Sequence, residues 1–196
     1  MASLIPSGSA SGTGSVTLTV PTTNSNQTIT LPDSTGTVLT TGSPQSGGVI
    51  QVISTTKTDT FSSTSTALVD ITGLSVSITP KFSTSKILVS YNIMGGQDAS
   101  SSQYVFVQLV RNSTAISVGS SGGAFNATGQ MYASNSADIV FRDSQTYLDS
   151  PATTSATTYK LQGSSWNSGI TWYVNRRGTN SSFVLSSSIT VMEIAA

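Results

Sequence analysis

Three aspartates, Asp138, Asp143 and Asp149, form the one local cluster of acids in the chain. Two carboxylates about 5–9.5 Å apart across a cleft can cleave a glycosidic bond. The same three residues could hold Ca²⁺ with carbonyl help, but the twelve-residue calcium loop with its closing glutamate is missing. Aspartate at strand ends and turns commonly bonds nearby backbone, and that is the role expected of all three. Histidine and cysteine are both absent. Ser-His-Asp and Cys-His systems, histidine zinc sites and disulfides are therefore excluded. The glycine-rich GSSGG at 119–123 lacks the lysine and the following helix of a phosphate loop. Neither an enzymatic activity nor a cofactor or metal is expected.

Residues that could bind are easier to find than residues that could react. Trp166 stands in the polar stretch QGSSWNSG. Exposed there, its indole offers a stacking face to sugar or protein, with Tyr147 or Tyr132 sharing the patch; otherwise it packs at a subunit boundary, where aromatics are enriched. Tyr91, Phe106, Phe141, Trp172 and Phe183 fall in alternating runs and read as core or trimer-axis packing. Arg176-Arg177 follows the most aromatic run. It could receive a carboxylate or phosphate, although a surface or inter-subunit pair with one of the few acids is the commoner outcome.

The elements that carry these residues are strands. Charged residues make up 8% of the 196 positions and cancel to zero, which gives no pull toward nucleic acid or anionic membrane. Roughly a third of the chain is Ser or Thr, yet 36% is hydrophobic, too much for a disordered tract. Thr, Val, Ile and aromatics favour pleated sheet, and a single glutamate, Glu193, leaves little for surface helices. From residue 49 onward short alternating runs recur: VIQVIS, Leu74-Val76-Ile78, Ile87 to Ile93, YVFVQLVR, AISV, DIVFRD, TTYKLQ, GITWYVNR and SITVMEI. YVFVQLVR is apolar on both faces near its middle and predicts a central, doubly covered strand. Eight or nine strands and no helix predict an all-β, jelly-roll-like sandwich head over residues 49–196.

Ahead of the head, residues 1–14 are small and polar and read as an extended anchoring arm. Residues 15–39 repeat one phrase, LTVP then ITLP, and put Val16, Leu18, Val20, Ile29 and Leu31 on one apolar stripe. Residues 40–48, TTGSPQSGG, have the composition of a linker. A stripe this narrow does not offset the entropy of ordering its backbone. Sister copies that cover one another's stripe would do so, and the economy is that of a three-chain shaft; the alternative, residues 15–39 packed back onto the head as two extra strands, is disfavoured by the linker. The opening residues lack the basic start and apolar run of a secretory signal, so synthesis in the cytoplasm is expected. The Asn-x-Ser/Thr sequences at Asn26, Asn112, Asn126 and Asn180 are then chance products of composition. No run approaches the length of a membrane-spanning helix.

The tract TITLPDSTGTVLTTG, the hairpin QLVRNSTAISVGSS and the ending NRRGTNSSFVLSSSITVMEI resemble small fibre-type structural proteins of tailed bacteriophages. The likeness covers nearly the whole chain and lies in phrases of structure. It implies a homotrimer with a β-sandwich head on the virion surface. Its partners would be itself, other capsid or tail proteins held through the N-terminal arm, and a host surface glycan or protein. Tail fibres commonly carry a longer N-terminal anchor, which leaves a capsid head fibre, cement or decoration protein as the alternative mounting.

Overall fold

Alternation of branched apolar residues with Ser and Thr gives each strand one oily and one watery face, and two such sheets bury their oily faces together. The computed structural model describes residues 44–98, 103–120, 125–133 and 136–196, all within the unit that spans 39–196. The arm, the shaft with Val16, Leu18, Val20, Ile29 and Leu31, and most of the linker lie outside the described residues.

One sheet contains β1 (Val49–Lys57), β2 (Phe61–Ser63), β4 (Lys86–Gln97), β8 (Phe141–Asp149), β10 (Trp172–Val174) and β11 (Ser187–Ile194). The other contains β3 (Val69–Ile78), β5 (Gln103–Arg111), β6 (Thr114–Ile116), β7 (Gly129–Ala133) and β9 (Thr157–Ser165). All pairings are antiparallel. The chain is an all-β sandwich, and no helix occurs among the described residues.

Among the described residues eleven strands occur where eight or nine were expected of the head, because three ribbons break in mid-course. β11 runs beside Lys86–Asn92 of β4, and β10 continues along the same edge beside Gly95–Gln97. β1 and β2 follow them on the far side. β6 and β7 likewise share one edge of β5. The sheets then read β8-β4-(β11/β10)-(β1/β2) and β3-β9-β5-(β6/β7).

The break between β10 and β11 is closed by Asn175, which is fully buried at φ 63. Its N–H donates to Met94 O at 2.8 Å, while Met94 N–H donates to Ser187 Oγ at 2.9 Å. Two side-chain donations from Asn175, each 2.9 Å, reach the carbonyls of Lys57 and Asp59 and close the matching break between β1 and β2. Asparagine suits this position because it tolerates the left-handed region and carries both donors and an acceptor.

The core joins Val, Ile and Leu of both sheets around Trp172, Tyr159 and Tyr91. Trp172 lies across β9, where a Cβ on Gly163 would sit 2.6 Å from the indole. Gly163→Ala is expected to lower stability by about 1–3 kcal/mol through overpacking, read as a fall in the thermal midpoint. A midpoint equal to that of the parent would mean the ring can move aside.

Both ends of the sandwich are defined by the register. At the lower end Gly47 N–H donates to Ala195 O at 2.7 Å and Ala195 N–H donates to Gly48 O, so residues 47–48 dock beside Ala195. There too Glu193, inward and buried, accepts from Lys81 N–H, Phe82 N–H and Gln51 Nε2. The upper end carries the β2–β3, β7–β8 and β9–β10 connections.

On the outside of the first sheet the register aligns Val52, Met192, Leu88 and Leu148 in one row across four strands. Its two ends are open to solvent, Val52 at 54% and Leu148 at 53%. The next row up is entirely Ser and Thr: Ser54, Thr190, Ser90 and Thr146.

Candidate functional site

The outer face of the second sheet carries an aromatic surface. Tyr104 and Phe106 point outward from β5, and the register sets Tyr132 and Gln130 of β7 opposite them. Trp166 follows β9 directly, and its N–H donates to Tyr104 O at 2.9 Å, extending the ladder by one residue. Phe125 lies over Phe106 with ring centroids 4.2 Å apart. Tyr104 meets Tyr132 at 5.2 Å, and Trp166 stands edge-on to Phe106 at 5.8 Å. Tilted and edge-on contacts of this kind are the preferred aromatic geometries. The exposures of Trp166 (46%), Tyr132 (47%) and Tyr104 (39%) leave three rings open to solvent.

Two shallow hollows adjoin on this surface. One, of about 250 Å³, lies between Phe106, Phe125, Ala127, Gly129 and Gln130. The other, of about 310 Å³, lies between Tyr104, Phe106, Gln130 and Trp166. Phe106 and Gln130 border both, and among the described residues no lining side chain is charged. The Trp166 loop is tied down by Ser165 N–H to Ser65 O at 2.9 Å and by Asn167 Nδ2 to Gln103 Oε1 at 2.6 Å.

Of the sequence candidates, Trp166 and Tyr132 therefore share one surface. Tyr147 does not: it sits on β8 of the other sheet, half-buried against the core. Phe106, expected in the core or on an axis, faces outward, and Phe183 is exposed with the Arg177 guanidinium 4.5 Å above its ring. YVFVQLVR is covered on both faces only in its lower half, where Gln108 and Val110 are buried and Gln108 Nε2 donates to Asn126 O. Its upper half presents the aromatics. Tyr104, Phe125 and Gln130 went unnoticed in the sequence, although Tyr104 and Phe106 at i and i+2 already share a strand face.

The three aspartates belong to separate networks. Asp149 accepts from Arg111 Nη1, 2.9 Å to each oxygen, and from Tyr159 OH at 2.7 Å. Burial pushes the Tyr159 hydroxyl far above its usual range, and the facing Asp149 carboxylate adds to this. Asp143 accepts from Tyr91 OH at 2.7 Å; burial raises its carboxyl above the ordinary range, partly offset by that bond. Six residues of strand, roughly 20 Å, separate Asp143 from Asp149. Exposed Asp138 holds Thr179 Oγ1 at 2.5 Å and Arg177 at 3.4 Å. Among the described residues no group of three His, Cys, Asp or Glu side chains is placed to hold a metal ion. Arg176 spends its guanidinium on the carbonyls of Arg177 and Gly178 and on the Tyr173 ring, 4.2 Å away.

The aspartates are thus held in their own networks, and the aromatic rings of the second sheet stand open to solvent. No protein-family model matches the chain, and no curated protein matches it either.

Proposed function

We propose that this chain is a structural protein of a bacteriophage virion, a homotrimeric fibre displayed on the particle, whose sandwich head meets the host cell surface. The observation that carries the reading is the polarity of the head. The chain comes in at the lower end, where residues 47–48 bond to Ala195, and the open aromatic rings lie toward the upper end. A display module needs its tether and its contact surface apart in this way.

Two further features support it. The strand order, with ribbons crossing between sheets, is that of a jelly roll, an architecture common in capsid proteins. The row Val52-Met192-Leu88-Leu148, with small Ser and Thr above it, gives a flat uncharged strip on which sister heads can pack closely. Met192 and Leu88 lie within that strip and Val52 and Leu148 at its margins, so neighbouring copies meet edge to edge around an axis. The N-terminal segment supplies the shaft and anchors it to capsid or tail.

Sedimentation of the intact chain is expected to give a trimer, and gold-labelled antibody is expected to mark virions. A lone, fully ordered monomer would overturn the trimer. Label on the tail fixes a tail fibre; label spread over the head fixes capsid decoration; unlabelled particles would remove the virion reading altogether.

A further inference from the structure

We infer that the aromatic surface of β5, β7 and the β9–β10 loop is a two-subsite binding site for a neutral oligosaccharide. The inference rests on the fibre reading for its biological setting, but its chemistry stands on the site itself. Pyranose rings present flat C–H faces that stack on aromatic rings and a rim of hydroxyls that need hydrogen-bond partners. The two hollows supply both. Trp166 and Tyr104 wall one hollow, Phe125 walls the other, and Phe106 lies between them. Gln130 borders both hollows and carries a donor and an acceptor within a single side chain.

Two adjoining hollows that share a floor match two linked sugars better than one isolated ring. The absence of charge in their lining selects the ligand further. An acidic sugar would set its carboxylate beside rings with no cation among the described lining residues to receive it. A neutral hexose or N-acetylhexosamine chain meets no such penalty. Few groups need ordering on binding, because the Trp166 backbone is held by the strand ladder and its loop by Asn167 and Ser165. The surface could also be covered by a second copy of the chain. The concave, divided lining favours a small ligand, since copy-to-copy contacts at this fold's flat faces are better served by the apolar row on the other sheet.

Tryptophan emission tests the inference directly. Only two tryptophans exist, and Trp172 is fully buried, so a ligand on this surface acts on the Trp166 signal. The intact chain is titrated with maltotriose, chitotriose and trigalacturonate. At least one neutral trisaccharide is expected to shift the emission saturably, and trigalacturonate is expected to bind at least about tenfold more weakly. Trp166→Ala followed by calorimetry, and Gln130→Ala followed by emission, are each expected to weaken the neutral ligand about tenfold while sedimentation is unchanged. Failure of both neutral sugars, equal binding of the acidic one, or a changed oligomeric state in Trp166→Ala would overturn the site. The virion reading is judged separately by particle labelling, so a failed sugar site with labelled virions leaves the fibre intact.

Discussion

Replacing Glu193 with alanine is expected to destabilise the head by about 2–3 kcal/mol at neutral pH, because it leaves the part-buried Lys81 and Phe82 N–H groups without their carboxylate acceptor, while Gln51 Nε2 keeps its bond to Thr79 O. Glu193 Oε1 takes Lys81 N–H at 2.8 Å and Phe82 N–H at 3.3 Å, and Oε2 takes Gln51 Nε2 at 2.6 Å. The carboxylate thus fastens the β3–β4 connection to the last strand, a contact 112 residues apart in sequence. Burial alone would raise its pKa, but the hydrogen bonds from the Gln51 and Ser85 side chains and from the two backbone N–H groups outweigh it and hold the carboxyl below its usual range. A group depressed in the folded state contributes stability above its unfolded pKa, about 4.3, and loses it as pH falls through the folded value. The gap between parent and Glu193→Ala in urea midpoints should therefore be wide at about pH 7 and narrow toward about pH 3. Asp143 has the opposite sign: its raised pKa favours folding at low pH, and Asp143→Asn is expected to remove that term. A Glu193→Ala midpoint unchanged at neutral pH would mean the connection finds other acceptors.

Asn175 should be at least as sensitive, and a substitution series can separate its two contributions. Asn175→Ala removes both donations to the Lys57 and Asp59 carbonyls and the 2.6 Å bond from Ser187 Oγ, and it puts a Cβ residue without a compensating side chain at φ 63. A loss of about 3 kcal/mol or more is expected from the unpaired groups together with the backbone term. Asn175→Gly relieves the backbone and keeps the hydrogen-bond loss, so it should fall between parent and alanine. Asn175→Asp keeps the tolerance for the left-handed region but turns acceptors toward two carbonyls, and it should be worst of all. Thermal unfolding of the four proteins gives the order directly. Equal midpoints for the alanine and glycine variants would remove the backbone term.

Much of the sandwich was legible because its core strands alternate strictly. Ile87, Val89, Tyr91 and Ile93, and likewise Ile189 and Val191, could be assigned to a face from spacing alone. β8 was harder. Its inward row is Phe141, Asp143, Gln145, Tyr147 and Asp149, mostly polar, because Tyr91 on the neighbouring strand β4 and Thr128 O, Arg111 and Tyr159 across the seam satisfy it. Period-2 hydrophobicity cannot report a strand whose buried face is hydrogen-bonded. The broken ribbons were hidden for a different reason: GITWYVNR reads as one strand, whereas only Trp172–Val174 pairs before Asn175 turns the chain out. The aromatic surface was half visible. Trp166 and Tyr132 stood out in polar surroundings, but their meeting with Tyr104 and Phe106 depends on which strand lies beside β5, a long-range fact that no local pattern contains.

The antiparallel run of β1 against β11 has a mechanical consequence. Tension drawn between Gly47 and a ligand gripped near Trp166 acts lengthwise on β1, so the pairs from Val49 to Lys57 resist together in shear. Tugging sideways would instead peel them apart one after another. On the fibre proposed above, a head strung this way would keep its fold under the pull of whatever it holds.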